Sequence, residues 1–195
     1  MRVKPVEFVH QAFNDPRLRR ALLKLRLPLG LAAAAWLVAS IRREWFWPGL
    51  AVSALGAALQ WWCFSCIRTQ KELAVNGPYK AVRNPMYLAR FILVFGCLLM
   101  TGSIRVLAVF TALYYFYMVN RVKREGAKLA GVFGAPYEEY RRRVHRFIPF
   151  RGTSPEGRYR FFSRASFLRN HGSGNALAVA AFYAVCWVVT FVLRH

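Results

Sequence analysis

Three short polar clusters carry the residue types that could do chemistry. The first is Asn76-Gly77-Pro78-Tyr79-Lys80-Ala81-Val82-Arg83-Asn84-Pro85-Met86-Tyr87. Asn-Gly-Pro is a turn signal, and Pro85 holds Asn84 extended while suiting the first turn of a helix. Arg83 and Asn84 are therefore expected at a helix N-terminus, whose free N–H groups attract anions. A plain connecting loop needs the glycine and prolines, but not two tyrosines and an arginine at these intervals. In the second cluster Arg121, Glu125, Leu129 and Phe133 recur every four residues, which predicts a helix stopping at Gly134. Glu125 stands out because the chain has only 8 acidic residues. The plainer reading is a surface pair with Arg121 contributing roughly 0.2–0.5 kcal/mol. The third cluster runs from Tyr137 to Pro149, with Tyr137, Tyr140, Val144 and Phe147 on one helical stripe and arginines on the other faces. By composition it is an amphipathic basic helix on a membrane surface.

The elements that must position these clusters are apolar. Of 195 residues 56% are hydrophobic and 16% aromatic, although 29 Lys and Arg against 8 Asp and Glu give a net charge of +21. Disordered basic tails lack such aromatic content, and a soluble nucleic-acid binder would need a large globular interior to hide it. A membrane protein with basic aqueous segments remains. Five apolar runs meet or approach the length that spans a bilayer: Leu25–Ile41, Trp45–Ile67, Met86–Gly102, Ile104–Val119 and Ala176–Leu193. The third is interrupted only by Arg90, and a tight turn should fold the third and fourth into an antiparallel hairpin. Trp45, Trp47, Trp61 and Trp62 suit the two headgroup layers. Cys63, Cys66, Cys97 and Cys186 all lie in apolar runs and read as small buried hydrophobes, neither disulfides nor metal ligands.

Five crossings would place 25 of the basic residues on one side, Arg26 and Arg90 included, against Arg42, Arg43, Arg105 and Arg194 on the other. The charged side, with the N-terminus and all three clusters, is expected to be cytoplasmic. The first apolar run starts late and lacks a small-residue cleavage site, so the expected location is an inner or endoplasmic-reticulum-type membrane. The predicted fold is all-α: a polytopic bundle of about five spans with interfacial helices. Residues 1–24 form a basic interfacial segment, with Asn14-Asp15-Pro16 as a helix start. Residues 25–150 make the membrane core, 151–175 a basic amphipathic linker, and 176–195 an additional transmembrane helix. A second interfacial helix is expected within Arg158–Asn170, either a lid over a membrane-side pocket or a lipid-anchored linker.

In order and spacing the clusters resemble the isoprenylcysteine carboxyl methyltransferase and phospholipid methyltransferase superfamily. Gly-Pro-Tyr-x-x-Val-Arg-Asn-Pro-x-Tyr, Arg-x-x-x-Glu and Leu-x-x-x-Phe-Gly-x-x-Tyr-x-x-Tyr-x-x-x-Val carry the resemblance, over roughly residues 76 to 150. Asn84 stands where many members have His, and Gly126 where members usually carry a second glutamate. The resemblance implies a membrane methyltransferase with a cytoplasmic face for S-adenosylmethionine and a lipophilic or prenylated acceptor arriving through the bilayer. Tyr79, Val82, Arg83, Asn84, Pro85, Tyr87, Arg121, Glu125, Tyr137 and Tyr140 are the implied cofactor-binding residues. Arg83 with the helix N-terminus suits the cofactor carboxylate, Glu125 its ammonium or ribose, and the tyrosines its adenine or sulfonium. Methyl transfer from a sulfonium releases a neutral thioether and needs no general acid, so positioning should supply much of the acceleration. A carboxylate acceptor would need only a cationic clamp, for which Arg143 and Arg146 are the candidates. Membrane lipids are the expected partners, with neither nucleic acid nor metal. Three other readings stay open: a dinucleotide-dependent membrane reductase, a non-catalytic scaffold hinted at by Gly126, and a basic surface protein binding nucleic acid.

Overall fold

The computed structural model describes residues 16–67, 72–149, 152–159 and 161–194. The described residues fold into seven α-helices: α1 (Pro16–Ser40), α2 (Arg43–Cys66), α3 (Pro85–Leu99), α4 (Ile104–Phe133), α5 (Ala135–Arg143), α6 (Arg164–Arg169) and α7 (Gly172–Val188). A π-helical turn, Val189–Leu193, extends α7, and a 3₁₀ turn, Gly77–Lys80, precedes α3. Each of the five apolar runs coincides with a helix. Two of them, α2 and α7 with its extension, are long and apolar enough to cross a membrane, and α3 is a shorter apolar helix. Pro16 opens α1 as expected, whereas the remainder of the proposed interfacial segment, 1–15 with its Asp15 cap, lies outside the described residues.

Several polar side chains are buried beside an apolar core of Leu37, Ile41, Phe46 and Met100, while many large apolar ones face out. Ser53, Gln60, Ser65, Thr101 and Asn120 are buried, whereas Leu31, Ile104 and Leu177 are 63%, 76% and 73% exposed. In water this arrangement would leave the apolar surface uncovered; in lipid it is the expected one, since small residues let helix backbones approach. The seam between α2 and α3 shows why. A Cβ on Gly56 would sit 2.2 Å from the Leu93 amide nitrogen, and one on Gly96 would sit 2.2 Å from that of Ser53. At this seam Ser53 Oγ donates to Leu93 O at 2.9 Å and lies 2.7 Å from Tyr183 Oη of α7.

The third and fourth runs form the expected hairpin, α3–α4, through residues 100–103, with Gly102 at φ +63° against the Trp45 ring. The helix carrying the second cluster continues to Phe133, and Gly134 ends it at φ +56° with its N–H on Ala130 O. All four cysteines are buried and free.

The helix expected within Arg158–Asn170 is α6, limited to Arg164–Arg169, and residues 152–159 form a non-helical strap against the first cluster. The strap is held by Gly77 N–H on Arg158 O (2.8 Å), Arg158 N–H on Asn76 Oδ1 (2.9 Å) and Lys80 Nζ on the carbonyls of Ser154 and Gly157 (2.8 Å each). These long-range bonds take backbone groups that a helix would have paired internally. Trp61 and Trp62 donate within the protein, to Asn175 Oδ1 (3.1 Å) and Phe161 O (3.0 Å).

Candidate functional site

The first cluster is shaped by the end of α2. Gly77 has φ +59°, and a Cβ there would meet Cys66 Sγ and the Trp62 indole, so both the turn and the close approach call for glycine. The turn drives Tyr79 inward beside Cys63 and Cys66. Tyr140 of α5 then reaches across to donate its phenol to Tyr79 O at 2.7 Å. Burial pushes both phenols well above the ordinary tyrosine pKa, so each stays a protonated donor at neutral pH.

Tyr137, Tyr140 and Val144 form the inward stripe of the third cluster, packed on Leu129, Phe133 and Leu73. The helix sits on protein here, which corrects its reading as a membrane-surface element: the aromatic stripe is consumed by the cluster-two helix α4. Beyond α5 the chain returns along the first cluster, with Arg83 N–H on His145 O (2.9 Å) and Asn84 N–H on Arg146 O (3.2 Å). The sequence pattern alone would leave these two donors free at the start of α3. They are occupied, which leaves the Arg83 guanidinium as that residue's donor for an anion; its Nη1 also donates to Arg141 O at 3.0 Å. Burial lowers the Arg83 pKa, partly offset by Tyr137. His145 Nδ1 accepts from the Ile148 N–H at 2.9 Å, a structural role that leaves it no part as a base at this nitrogen.

These contacts enclose a cavity of about 450 Å³, within the usual range for small-ligand sites. Tyr79, Arg83, Asn84, Tyr87, Glu125, Tyr137 and Tyr140 all line it. Seven of the ten implied cofactor residues, drawn from three separate segments, are thus brought together. Glu125 is presented to the cavity by Tyr87, whose Oη donates to its Oε2 at 2.6 Å. Of the remaining three, Val82 and Pro85 are buried supports of the turn, and Arg121 lies one helical turn before Glu125 on an exposed face of α4.

The two candidate clamp residues are not in this cavity. Arg143 is paired with Glu139 at the outer surface, four residues back on α5. Arg146 lines a second pocket of about 210 Å³ with Arg83, Lys123, Gly126, Tyr137 and Arg141.

The main cavity has further walls that sequence reasoning passed over. Glu72, Arg90 and Lys128 add charge, while Ile67, Leu73, Met86, Leu129, Val132 and Phe133 make an apolar flank. Arg90 had a signal: it is the one charge inside an otherwise apolar run, and ionisable residues in such positions are costly unless functional. Lys128 follows Glu125 by three on the same helix face. Nothing in the sequence around Glu72 marked it.

The arrangement offers a carboxylate, a fixed guanidinium, aromatic faces and an apolar flank in one half-open space. A zwitterionic nucleoside such as S-adenosylmethionine fits that donor set. Glu125 and Glu72 can take an ammonium, Arg83 a carboxylate, and Tyr137 and Tyr140 a ring or sulfonium.

Residues 49–136 match the phospholipid methyltransferase family. The chain is 32% identical over 77 residues to the protein-S-isoprenylcysteine O-methyltransferase of Schizosaccharomyces pombe, covering 40% of this chain and 33% of that protein. It is 33% identical over 106 residues to the nickel-cobalt-cadmium resistance protein NccN of Alcaligenes xylosoxydans xylosoxydans, covering 51% and 49%. The cobalt-zinc-cadmium resistance protein CzcN of Cupriavidus metallidurans is 30% identical over 115 residues, covering 54% and 53%. The chain therefore spans between a third and about half the length of these curated relatives. No solved structure matches it.

Proposed function

We propose, from the match of residues 49–136 to the phospholipid methyltransferase family, that the protein is an integral-membrane methyltransferase. It uses S-adenosylmethionine and modifies a lipophilic or lipid-attached acceptor. The observation that carries this reading is the meeting of Arg83, Glu125 and Tyr137 in one cavity with an apolar flank. In this reading α1, α2, α3, the first half of α4, and α7 cross the bilayer, and the basic segments with the cavity face the cytoplasm.

S-adenosylmethionine supplies an electrophilic methyl group on a sulfonium. The chain's task is to hold and orient. Glu125, kept in one rotamer by Tyr87, faces the ammonium or ribose. Arg83, tethered through Arg141 O, faces the carboxylate. The Tyr140 phenol, donating to the Tyr79 carbonyl, fixes the relative position of the first and third clusters and carries no proton in the reaction. The leaving group is a neutral thioether, so no acid is needed, and alignment within the cavity supplies the rate. For an anionic acceptor the cation to hand is Arg90, which lines the cavity from α3 near its apolar flank. Arg143 and Arg146 lie outside it.

Equilibrium binding of labelled S-adenosylmethionine to the detergent-purified protein, followed by methyl transfer to a panel of prenylcysteine, lipid-amine and thiol acceptors, tests the proposal. Saturable binding with transfer to one acceptor class supports it. Binding of NADPH in place of S-adenosylmethionine would establish a reductase. Binding of neither would leave a non-catalytic membrane scaffold.

A further inference from the structure

The second pocket gathers Arg83 with three cations, Lys123, Arg141 and Arg146, that the proposed methyl transfer does not use. Arg83, Lys123, Arg141 and Arg146 surround a space of about 210 Å³ whose lining contains no acidic side chain. Glu138 reaches Arg141 from outside at 3.2 Å, with both side chains substantially exposed, a pairing that contributes little against solvent. Like charges around one concavity repel one another, and the half-buried Arg83 feels both Arg146 and Arg141.

The backbone nevertheless enforces the gathering. Arg83 is held by the His145 and Arg141 carbonyls, and Arg146 is tied through its own carbonyl to the Asn84 N–H. The floor is also left open: at Gly126 an ideal Cβ would lie 3.1 Å from Tyr137 Oη, so any side chain there would crowd the phenol and occupy the space. The phenol adds a neutral donor to the cationic wall. Guanidinium forks beside an ammonium and a hydroxyl suit a tetrahedral oxyanion, because each planar fork donates two parallel hydrogen bonds to it.

We propose that this pocket binds a phosphate group, at a site separate from the main cavity and sharing only the Arg83–Tyr137 wall with it. The proposal does not depend on methyl transfer. Val122 and Ala127 give the pocket an apolar margin, and Val122 follows the apolar run of α4 by three residues. Both a phospholipid headgroup at the membrane surface and a soluble phosphate can reach it.

The test is thermal unfolding of the full chain with two probes. Inorganic phosphate is titrated in neutral detergent at constant ionic strength; separately, phosphatidylcholine nanodiscs are compared with and without phosphatidic acid. A saturable rise in Tm with either probe supports the site, and the responding probe identifies the source as soluble or lipid-borne. Arg146→Gln should weaken the response by about tenfold, the equivalent of one charge-assisted hydrogen bond. Arg142→Gln, the same charge change on an exposed neighbour outside the pocket, should leave it intact. Gly126→Asp places a carboxylate in the pocket by a different substitution and should also abolish the response, which covers the case in which Arg146→Gln fails to fold. No saturable rise with either probe overturns the proposal. So does an equal loss in Arg142→Gln, because diffuse attraction to a chain of net charge +21 would then suffice.

Discussion

Tyr87 donates its phenol to Glu125 at 2.6 Å, joining the first turn of α3 to α4 across 38 residues of sequence. A hydroxyl bound to a carboxylate is among the stronger side-chain contacts. It turns an acid on an exposed helix face into a group fixed at the mouth of a cavity. Tyr87→Phe should therefore lower S-adenosylmethionine affinity by roughly tenfold, about the 1.4 kcal/mol expected for losing one such bond. Glu125→Gln should cost at least as much while Tm stays close to that of the parent. Unchanged affinity in both variants would return Glu125 to a surface role.

Arg83 is held by its guanidinium as well as its backbone. Arg83→Ala should remove most cofactor affinity. Arg83→Lys should restore little, because a lysine cannot hold Arg141 O and a ligand carboxylate with one planar group. Equilibrium binding of labelled cofactor measures both, and full recovery in the lysine variant would argue against a bidentate role.

The Tyr140 phenol supports the first cluster through Tyr79 O. Tyr140→Phe leaves that carbonyl buried without its donor and should destabilise the protein by about 1–3 kcal/mol. The pH dependence has a definite sign. Burial raises the Tyr140 pKa above the ordinary 10.0, so above that pH the unfolded chain loses a proton that the folded chain retains. Stability should then fall as pH rises past 10.0 towards the folded value, and less steeply in Tyr140→Phe. Thermal melts between neutral and strongly alkaline pH would show the difference in slope.

Every wall of the main cavity comes from residues 67–140, yet α7 is stitched into the bundle from one end to the other. Asn175 Oδ1 accepts from Gln60 and Trp61, and the Arg194 guanidinium caps the carbonyls of Val38, Ala39 and Ile41. Deleting residues 171–195 should lower Tm by removing the Asn175 partner of Gln60 and the Tyr183 partner of Ser53. Cofactor affinity should persist in the fraction that remains folded, as a binding assay on the monodisperse species would show. Lost affinity in a well-folded truncation would make α7 part of the site.

Two glycines in helices should respond in opposite directions. Gly56→Ala drives a Cβ into the Leu93 backbone and should destabilise by several kcal/mol, on the order of 3 or more. At Gly131 on α4 a Cβ would have no neighbouring atom within 4 Å, so Gly131→Ala should stabilise by about 0.5–1 kcal/mol through helix propensity. Parallel thermal melts of the two variants check the pair, and a destabilised Gly131→Ala would show a contact at that face.

Much of this architecture was legible in local pattern. Apolar run lengths located the five long helices, and Gly134 marked the end of α4 because a left-handed terminus favours glycine. Gly77-Pro78 marked the turn before α3. The site was half legible: Arg83, Glu125 and Tyr137 could be singled out by type and order, and only the family resemblance, not their spacing, implied that they share one site. The strap was missed because its bonds run to carbonyls and amides some 74 to 82 residues away.

What the sequence determined by itself was therefore the long helices, the net charge of +21 and the residues with chemistry to offer, since each follows from local spacing and composition. What only the tertiary structure decided was who meets whom. The carbonyls of His145 and Arg146 fill the donors at the start of α3, Tyr87 claims Glu125, and Arg146 joins a second basic pocket while Arg143 stays at the surface. Those outcomes depend on the close approach of α2 and α3 and on where the chain returns after α5. Both are properties of packed backbones, and neither is written in any short stretch of residues.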